Sequence, residues 1–182
     1  MIKNLNAERA QARTKESLTN GDQDQEQDQG FLEKSPYFRK WDFVLDTSKT
    51  GPHYLIQPSI AEIIVEALHY RHMQVYYLFA YCIMSNHVHV VFKPLKRAEG
   101  EFYQLNRIMQ SLKRHTARKS NRVLGTEGKF WQAESYDHVI RDDKELNRII
   151  HYVITNPLNF RLVSKWEDWP WTYVQDEYNP FK

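Results

Sequence analysis

The stretch QVYYLFAYCIMSNHVHVVFK, residues 74–93, decides how this chain folds. Its first half is rich in aromatic and β-branched residues, which favours a buried strand. The three residues Met84–Asn86 interrupt that run, and the second half then resumes as a strand of its own. Two strands joined by so short a break predict a β-hairpin.

Two histidines stand at alternate positions of the second strand. Because side chains alternate between the faces of a strand, His87 and His89 should share one face. Val88, Val90 and Phe92 should then face the core. Neighbouring imidazoles can share one cation, whose remaining coordination must come from a third ligand, water or a phosphate oxygen. Spacing alone leaves open the alternative of two structural histidines without a metal.

Periodic apolar residues predict three helices around the hairpin. The first follows Ser59–Glu62, read as a capping box, and the second runs from about Phe102 to Leu124. The third starts at Asp142 and should end at Asn156-Pro157, because the residue before proline avoids helical angles. Further strands are expected around Asp42–Asp46 and within residues 130–140. This order predicts an α+β fold, a ferredoxin-like or RRM-like antiparallel sheet with helices on one face and the third helix near the histidine strand.

The N-terminal region differs in composition from the rest. Residues 20–30, NGDQDQEQDQG, contain no apolar side chain, so we expect residues 1–33 to form a disordered tail and residues 34–182 to form the folded domain. Residues 1–30 carry four of the 25 Lys and Arg residues and six of the 23 Asp and Glu residues. The remainder therefore has 21 basic and 17 acidic residues, a balance that permits a polyanionic partner.

Composition also bounds the compartment. No apolar run approaches the roughly 20 residues that span a bilayer, and the mean hydropathy is −0.71. The N-terminus shows no apolar signal core, and the single cysteine, Cys82, suits a reducing environment. We expect a cytoplasmic protein with no membrane partner.

The third predicted helix carries a possible nucleophile. Tyr152 and Asn156 are four residues apart, so they lie one turn apart on the same flank of the helix. A helix on the sheet could present both towards the histidine face. The tyrosine hydroxyl has a pKa near 10 and is a poor nucleophile unless a metal polarises its target phosphate. In isolation, an ordinary boundary aromatic with its hydroxyl in water would be the favoured interpretation of Tyr152, because the chain has eleven tyrosines.

Three ordered blocks resemble a known family. The segments AYCIMSNHVHVVFKP, GKFWQAESYDHVIRDDKEL and IIHYVITNPLNFRLV are similar to blocks of the REP-associated tyrosine transposases, members of the His-hydrophobe-His (HUH) superfamily. The resemblance runs from about Ser35 to Tyr173. One block would be weak evidence, but the ordered set is specific.

The resemblance implies a site and a reaction. His87 and His89 would bind one divalent cation, Mg²⁺ or Mn²⁺, Asn156 would complete the metal site, and Tyr152 would be the nucleophile. Proteins of this family act on single-stranded DNA beside imperfect palindromic hairpins and leave a 5′-phosphotyrosine and a free 3′-hydroxyl. Because the intermediate conserves the bond energy, the strand can be rejoined without ATP or another nucleotide cofactor.

Two departures from the family pattern are visible. The family commonly has Pro-Asn before the first histidine, whereas this chain has Ser85-Asn86. After the Asn-Pro pair the family usually reads like VKAGLV, whereas this chain reads LNFRLV, without the glycine. We expect the Ser85-Asn86 departure to change the stiffness of the turn before the first histidine. We expect the LNFRLV departure to alter the loop after the third helix.

Several residues are candidates for holding DNA. No acidic residue occurs between Glu101 and Glu127, and the basic residues of this window could track phosphates. They could equally be a solvated helix face. Trp131 could stack on an unpaired base or belong to the core, and His138 and Arg141 could lie near the scissile phosphate. The basic candidates in the window are Lys113, Arg114, Arg118, Lys119 and Arg122.

Three hypotheses follow, in this order. The first is a metal-dependent endonuclease and strand transferase of the tyrosine transposase type. The second is a catalytically idle module that binds hairpin DNA or RNA on the same fold. The third is a zinc hydrolase using His87, His89 and a further ligand such as His138. The sequence leaves open the DNA sequence recognised and the choice between monomer and homodimer.

Overall fold

A computed structural model of the chain describes residues 2–5, 52–98 and 100–182. Apart from Pro52, these residues belong to one compact unit. The strand predicted at Asp42–Asp46 lies outside the described residues, as does the predicted tail except for its first few residues. Of these, Ile2–Leu5 form a strand.

The described part of the chain contains five strands and three helices. Three 3₁₀ turns, at 54–56, 166–168 and 176–178, connect or follow them. The strands and helices, in chain order, are β1 (Ile2–Leu5), α1 (Pro58–Arg71), β2 (Tyr76–Ile83), β3 (Val88–Pro94), α2 (Leu105–Leu124), β4 (Asp137–Ile140), α3 (Asp143–Asn159) and β5 (Thr172–Val174).

The strands form one sheet in the order β4-β1-β3-β2-β5. The predicted hairpin is confirmed: β2 and β3 are antiparallel neighbours, and Met84 N donates to His87 O at 2.9 Å across the turn. Strand β5 is antiparallel to β2, whereas β1 is parallel to both β3 and β4. Strand β1 was not predicted from the sequence, and the antiparallel prediction is confirmed for β2, β3 and β5.

Each face of the sheet is covered by helices. Helices α1 and α2 pack on one face through a cluster that includes Val90 and Phe92 of β3. Helix α3 packs on the other face through a cluster that includes Val91. The α+β class is confirmed, and so is the facing predicted for β3, with its valine–phenylalanine side in the core beneath α1 and α2.

A β-bulge changes which residues of β2 face each side. Leu78 pairs with Phe92 and Ala80 pairs with Val91, so Phe79 is the extra residue. As a result, Phe79 and Ala80 both belong to the α3 face, while Leu78 and Tyr81 belong to the opposite face. The bulge lets one strand supply large side chains to both cores.

Two predicted helix ends are wrong. Helix α1 begins at Pro58 with Gln57 as its N-cap and no side-chain capping bond, so Ser59–Glu62 is not a capping box. Proline suits the first helical position because its missing N–H would have no partner there. Helix α3 continues through Pro157 to Asn159, since proline so near the C-terminal end costs few helical hydrogen bonds.

The other ends follow local chemistry. Asp142 caps α3 by accepting from the backbone N–H of Glu145 at 2.8 Å, which confirms the predicted start of this helix. Helix α2 ends at Gly125, whose φ of 64° lies in the left-handed region that glycine tolerates. Among the described residues, no helix combines the length and the apolar composition required to cross a membrane.

Candidate metal and nucleophile site

The site is built on the strand-to-strand turn and the start of β3. His87 and His89 are both buried, on the sheet face that α3 covers. His89 is paired with Cys82 of β2, which fixes its backbone close to the turn of the hairpin. Because α3 packs against β2 and β3, both imidazoles lie beneath that helix.

The two imidazoles converge through the same ring nitrogen. His87 Nε2 lies 2.9 Å from His89 Nε2, with the ring planes almost perpendicular at 86°. His87 Nδ1 lies 2.8 Å from Asn86 Oδ1, so Nδ1 is the donor and the proton resides there. This tautomer gives Nε2 the lone pair that points towards His89.

Burial determines the charge of His87. Loss of hydration lowers its pKa from the ordinary value of 6.5 to about 3. The imidazole is therefore neutral at physiological pH, which is the form that binds metal ions.

Tyr152 lies next to this pair. It is half-buried on α3, and the centroid of its ring is 6.0 Å from that of His89 at an interplanar angle of 81°. Ile149 precedes Tyr152 on the helix and Val153 follows it. Both are buried in the core beneath α3, so they fix the position of Tyr152. The structure thus brings the phenol and the histidines together.

Asn156 lies one turn further along α3 and is completely buried. Neither its side-chain oxygen nor its side-chain nitrogen makes a hydrogen bond within the described part of the chain. A buried amide without partners costs on the order of 1–3 kcal/mol. A ligand that contacts the amide oxygen or nitrogen would remove this cost.

These donors fit a divalent cation. Two nitrogens bound to one ion at about 2.1 Å and at right angles lie about 3.0 Å apart, close to the observed Nε2 separation. The orphaned oxygen of Asn156 is of the type that hard cations accept. No group of three or more His, Cys, Asp or Glu side chains within residues 2–5, 52–98 and 100–182 is placed to hold a metal.

His138 and Arg141 lie at the entrance to α3. His138 Nε2 is 2.6 Å from Glu145 Oε1, and the backbone N–H of Arg141 donates to Glu145 Oε2 at 2.8 Å. Glu145 is buried, seven residues before Tyr152 and on the same side of the helix. The partner of His138 is therefore a carboxylate. The zinc-hydrolase hypothesis requires His138 to be a third ligand beside His87 and His89, and the described residues do not show it there.

The basic candidates lie on the opposite face of the sheet, on α2. Lys113 is half-buried, and its Nζ donates to the backbone oxygens of Gln132, Ala133 and Glu134 at 2.9–3.2 Å. Lys119 forms an ion pair with Glu66 at 2.9 Å. Arg114, Arg118 and Arg122 show no ion pair with any described residue, and Arg114 and Arg122 are exposed.

Trp131 is half-buried beside the core under α1 and α2. Its indole Nε1 donates to Thr116 Oγ1 at 2.8 Å, so the ring is fixed against α2. One edge of the Trp131 ring packs against the core. The side chain also lines a cleft between α2 and residues 128–137.

Two contributors were not named as site residues from the sequence. Asn86 orients His87, and the only sequence signal is an amide side chain immediately before the first histidine. Glu145 holds His138 and the start of α3, and its signal is the spacing of seven from Tyr152, two helical turns.

Comparison with known proteins agrees with this geometry. The model of the family described as IS200-like transposase matches residues 53–156, more than half of the chain. The chain is 26% identical over 98 residues to a candidate REP-associated tyrosine transposase from Haemophilus influenzae. That alignment covers 51% of this chain and 56% of the relative, so the chain spans about half the length of the relative. No solved structure is significantly similar.

Proposed function

Because the chain belongs to the family of IS200-like transposases, we propose that it cuts and rejoins single-stranded DNA beside hairpin-forming repeats. Tyr152 is the nucleophile, and His87, His89 and Asn156 hold one Mg²⁺ or Mn²⁺ ion. The observation that supports this most strongly is the convergence of the two Nε2 atoms beside the ring of Tyr152. The likeness to a REP-associated relative supports repeats of this kind as substrates.

The reaction is a transesterification at phosphorus. The Tyr152 hydroxyl oxygen forms a bond to the scissile phosphorus, and the bond to the 3′-oxygen breaks. The phenol loses its proton and the leaving oxygen gains one, so the products are a 5′-phosphotyrosine and a free 3′-hydroxyl. The reverse reaction with another 3′-hydroxyl transfers the strand. His87, His89 and Asn156 would hold the cation, which would supply polarisation of the phosphate and offset its developing charge.

The chain's own residues prepare this reaction. Asn86 sets the tautomer of His87, and burial keeps His87 neutral and able to bind metal. The packing of α3 on the sheet fixes the phenol relative to the histidines, which lowers the entropic cost of reaching the reactive geometry. Asp142 and Glu145 fix the first turn of that helix.

The test is a covalent adduct. Labelled single-stranded DNA hairpins from the source genome are incubated with the protein and Mn²⁺, and the mixture is separated on a denaturing gel. We expect a protein–DNA band that requires the metal and is lost in Tyr152→Phe. Tyr70→Phe is the matched control, because Tyr70 is 69% exposed on α1, on the other face of the sheet.

The outcomes separate the alternatives. Tight, salt-sensitive hairpin binding that survives loss of both histidines, with no adduct on any hairpin, would establish the idle binding module instead. An adduct that persists in Tyr152→Phe would assign the nucleophile to another residue.

A further inference from the structure

A histidine and a buried carboxylate meet where β4 approaches the start of α3. His138 Nε2 lies 2.6 Å from Glu145 Oε1, and the second carboxylate oxygen accepts from the backbone N–H of Arg141 at 2.8 Å. The side chain of Glu145 is only 7% exposed, whereas that of His138 is 23% exposed. A carboxylate held in this way fixes the orientation of the imidazole, as the carboxylate of a catalytic triad does.

His138 lies on the same face of the sheet as the nucleophile. Ile140, two residues further along β4, is buried in the core beneath α3, and alternate residues of a strand share a face. Lys3 of β1 is paired with both Val91 and His138. His138 is therefore level with Val91, two strands away from β3 and two residues beyond His89. Two strand spacings and two residues give a diagonal of roughly 12 Å between the backbones of His89 and His138.

Helix α3 spans this diagonal. Glu145 contacts His138 at one end, and the centroid of the Tyr152 ring lies 6.0 Å from that of His89 at the other. The seven residues from Glu145 to Tyr152 correspond to a rise of roughly 10.5 Å, which agrees with the diagonal across the sheet. Because long side chains on a helix lean towards its N-terminal end, we expect the phenol to approach His138 more closely than this rise.

A phosphate group fits between the phenol and the imidazole. In an in-line displacement the attacking and leaving oxygens lie on opposite sides of phosphorus, and a proton donor lies about 3 Å from the leaving oxygen. The nucleophilic oxygen and the donor nitrogen are then roughly 7 Å apart. Arg148 lies between Glu145 and Tyr152 on the same flank of α3, and a guanidinium there favours a phosphate group.

We propose that His138 is the proton donor to the leaving 3′-oxygen, and that Glu145 is the positioning residue that orients it. This inference rests on the proposed function and adds a catalytic residue to it. The alternative is that the contact between His138 and Glu145 serves only to attach β4 to α3. The two roles differ in their dependence on the leaving group.

The proton balance of the step is as follows in both directions. In cleavage, the Tyr152 oxygen forms its bond to phosphorus, the bond from phosphorus to the 3′-oxygen breaks, and the proton on His138 Nδ1 moves to that oxygen. The phenol proton passes to water. In strand transfer, an incoming 3′-hydroxyl gives its proton to Nδ1 while its oxygen displaces the tyrosine, and the phenolate recovers a proton from water.

The test replaces the leaving oxygen with sulfur. Two hairpin-bearing single strands are compared, identical except that one carries a bridging 3′-sulfur at the cleavage position mapped with the unmodified protein. A thiolate leaves without being protonated, because a thiol is far more acidic than an alcohol. A missing proton donor therefore slows only the oxygen strand. The rate of adduct formation with saturating protein and Mn²⁺ is followed on a denaturing gel.

The variant that removes the donor is His138→Gln, since glutamine keeps an N–H for Glu145 and cannot supply a proton. We expect its adduct formation to slow on the order of 100-fold with the oxygen strand and to stay within about twofold of the unmodified protein with the sulfur strand. Glu145→Gln should slow the oxygen strand about tenfold and leave the sulfur strand unaffected. Asp143→Asn is the matched control, because Asp143 is an exposed acid in the same turn of α3, and it should react normally with both strands.

Two results overturn the proposal. One is a folded His138→Gln, with an unchanged circular dichroism spectrum, that is slowed equally on both strands. The other is a His138→Gln that is not slowed on the oxygen strand. If His138→Gln does not fold, Glu145→Gln decides by the same comparison. An adduct formed by the unmodified protein leaves the proposed function standing in each case, whereas no adduct with either strand rejects both.

Discussion

At the scale of single residues, two asparagines explain how a pair of histidines can become a metal site. Asn86 fixes the proton of His87 on Nδ1, and Asn156 brings a buried amide that the described chain leaves without partners. Neither residue would bind a cation strongly by itself. Together they orient one ligand and supply an oxygen donor, which are the two requirements that a bare pair of histidines does not meet.

Replacement of Asn86 should therefore weaken metal binding while the protein stays folded. In Asn86→Ala we expect the affinity for Mn²⁺ to fall by about 10–100-fold, because the orientation and tautomer of His87 are no longer fixed. Titration with Mn²⁺ followed by electron paramagnetic resonance measures the effect. Asn159→Ala, at the exposed end of α3, is the control, and unchanged affinity in Asn86→Ala would contradict the role assigned here.

Arg161 provides a prediction about stability. Its φ of 55° is in the left-handed region, and it occupies the position where the related family usually has glycine. Arg161→Gly should raise the free energy of unfolding by about 0.5–1 kcal/mol, since glycine adopts this conformation without steric cost. Arg161→Val should lower it. Urea denaturation measures both, and a destabilised Arg161→Gly would show that the arginine side chain makes a compensating contact.

At the scale of elements, the hairpin was predictable, whereas the start of α1 and the end of α3 were not. Strand alternation predicts that His87 and His89 share one face of β3. The packing of Val90 and Phe92 in the core on the opposite face confirms this alternation. The bulge at Phe79 shifts that alternation within β2, and no residue pattern announces it. The predicted helix end at Pro157 was wrong, because the effect of a proline depends on how much helix follows it. That length is set by the packing around α3.

Lys113 shows why a basic window is a poor guide to DNA contacts. The charge pattern of α2 included Lys113 among phosphate-binding candidates, but its ammonium group bonds three backbone oxygens of the neighbouring segment. Sequence cannot separate these roles, because the segment that meets Lys113 is about 20 residues away. Arg114, in the next position, has no such internal partner among the described residues.

Loss of Lys113 should consequently affect structure more than charge. In Lys113→Met we expect amide hydrogens of residues 128–136 to exchange faster, by a factor that corresponds to about 1–3 kcal/mol of lost stabilisation. Arg122→Met removes an equal charge from an exposed position of α2 and should leave exchange in that segment unchanged. If the two variants behave alike, the three hydrogen bonds contribute little, and Lys113 returns to the set of DNA-binding candidates. Hydrogen exchange read by mass spectrometry makes the comparison.

At the scale of the whole molecule, one sheet separates two faces that carry different side chains. The face beneath α3 carries the histidines, the phenol and the buried amide. The face beneath α1 and α2 carries two clefts, one lined by arginines and one lined by Phe130 and Trp131. Both faces of the sheet are buried against helices, which determines where these groups stand relative to one another.

The most direct measurement is the identification of the residue that becomes joined to DNA. The protein is incubated with a hairpin-bearing single strand and Mn²⁺, digested with protease and nuclease, and analysed by tandem mass spectrometry. The account predicts a 5′-phosphorylated nucleotide on the peptide containing Tyr152, only when metal is present and both histidines are intact. A nucleotide attached to any other residue, or attachment to Tyr152 that is unaffected by loss of His87 and His89, would contradict it.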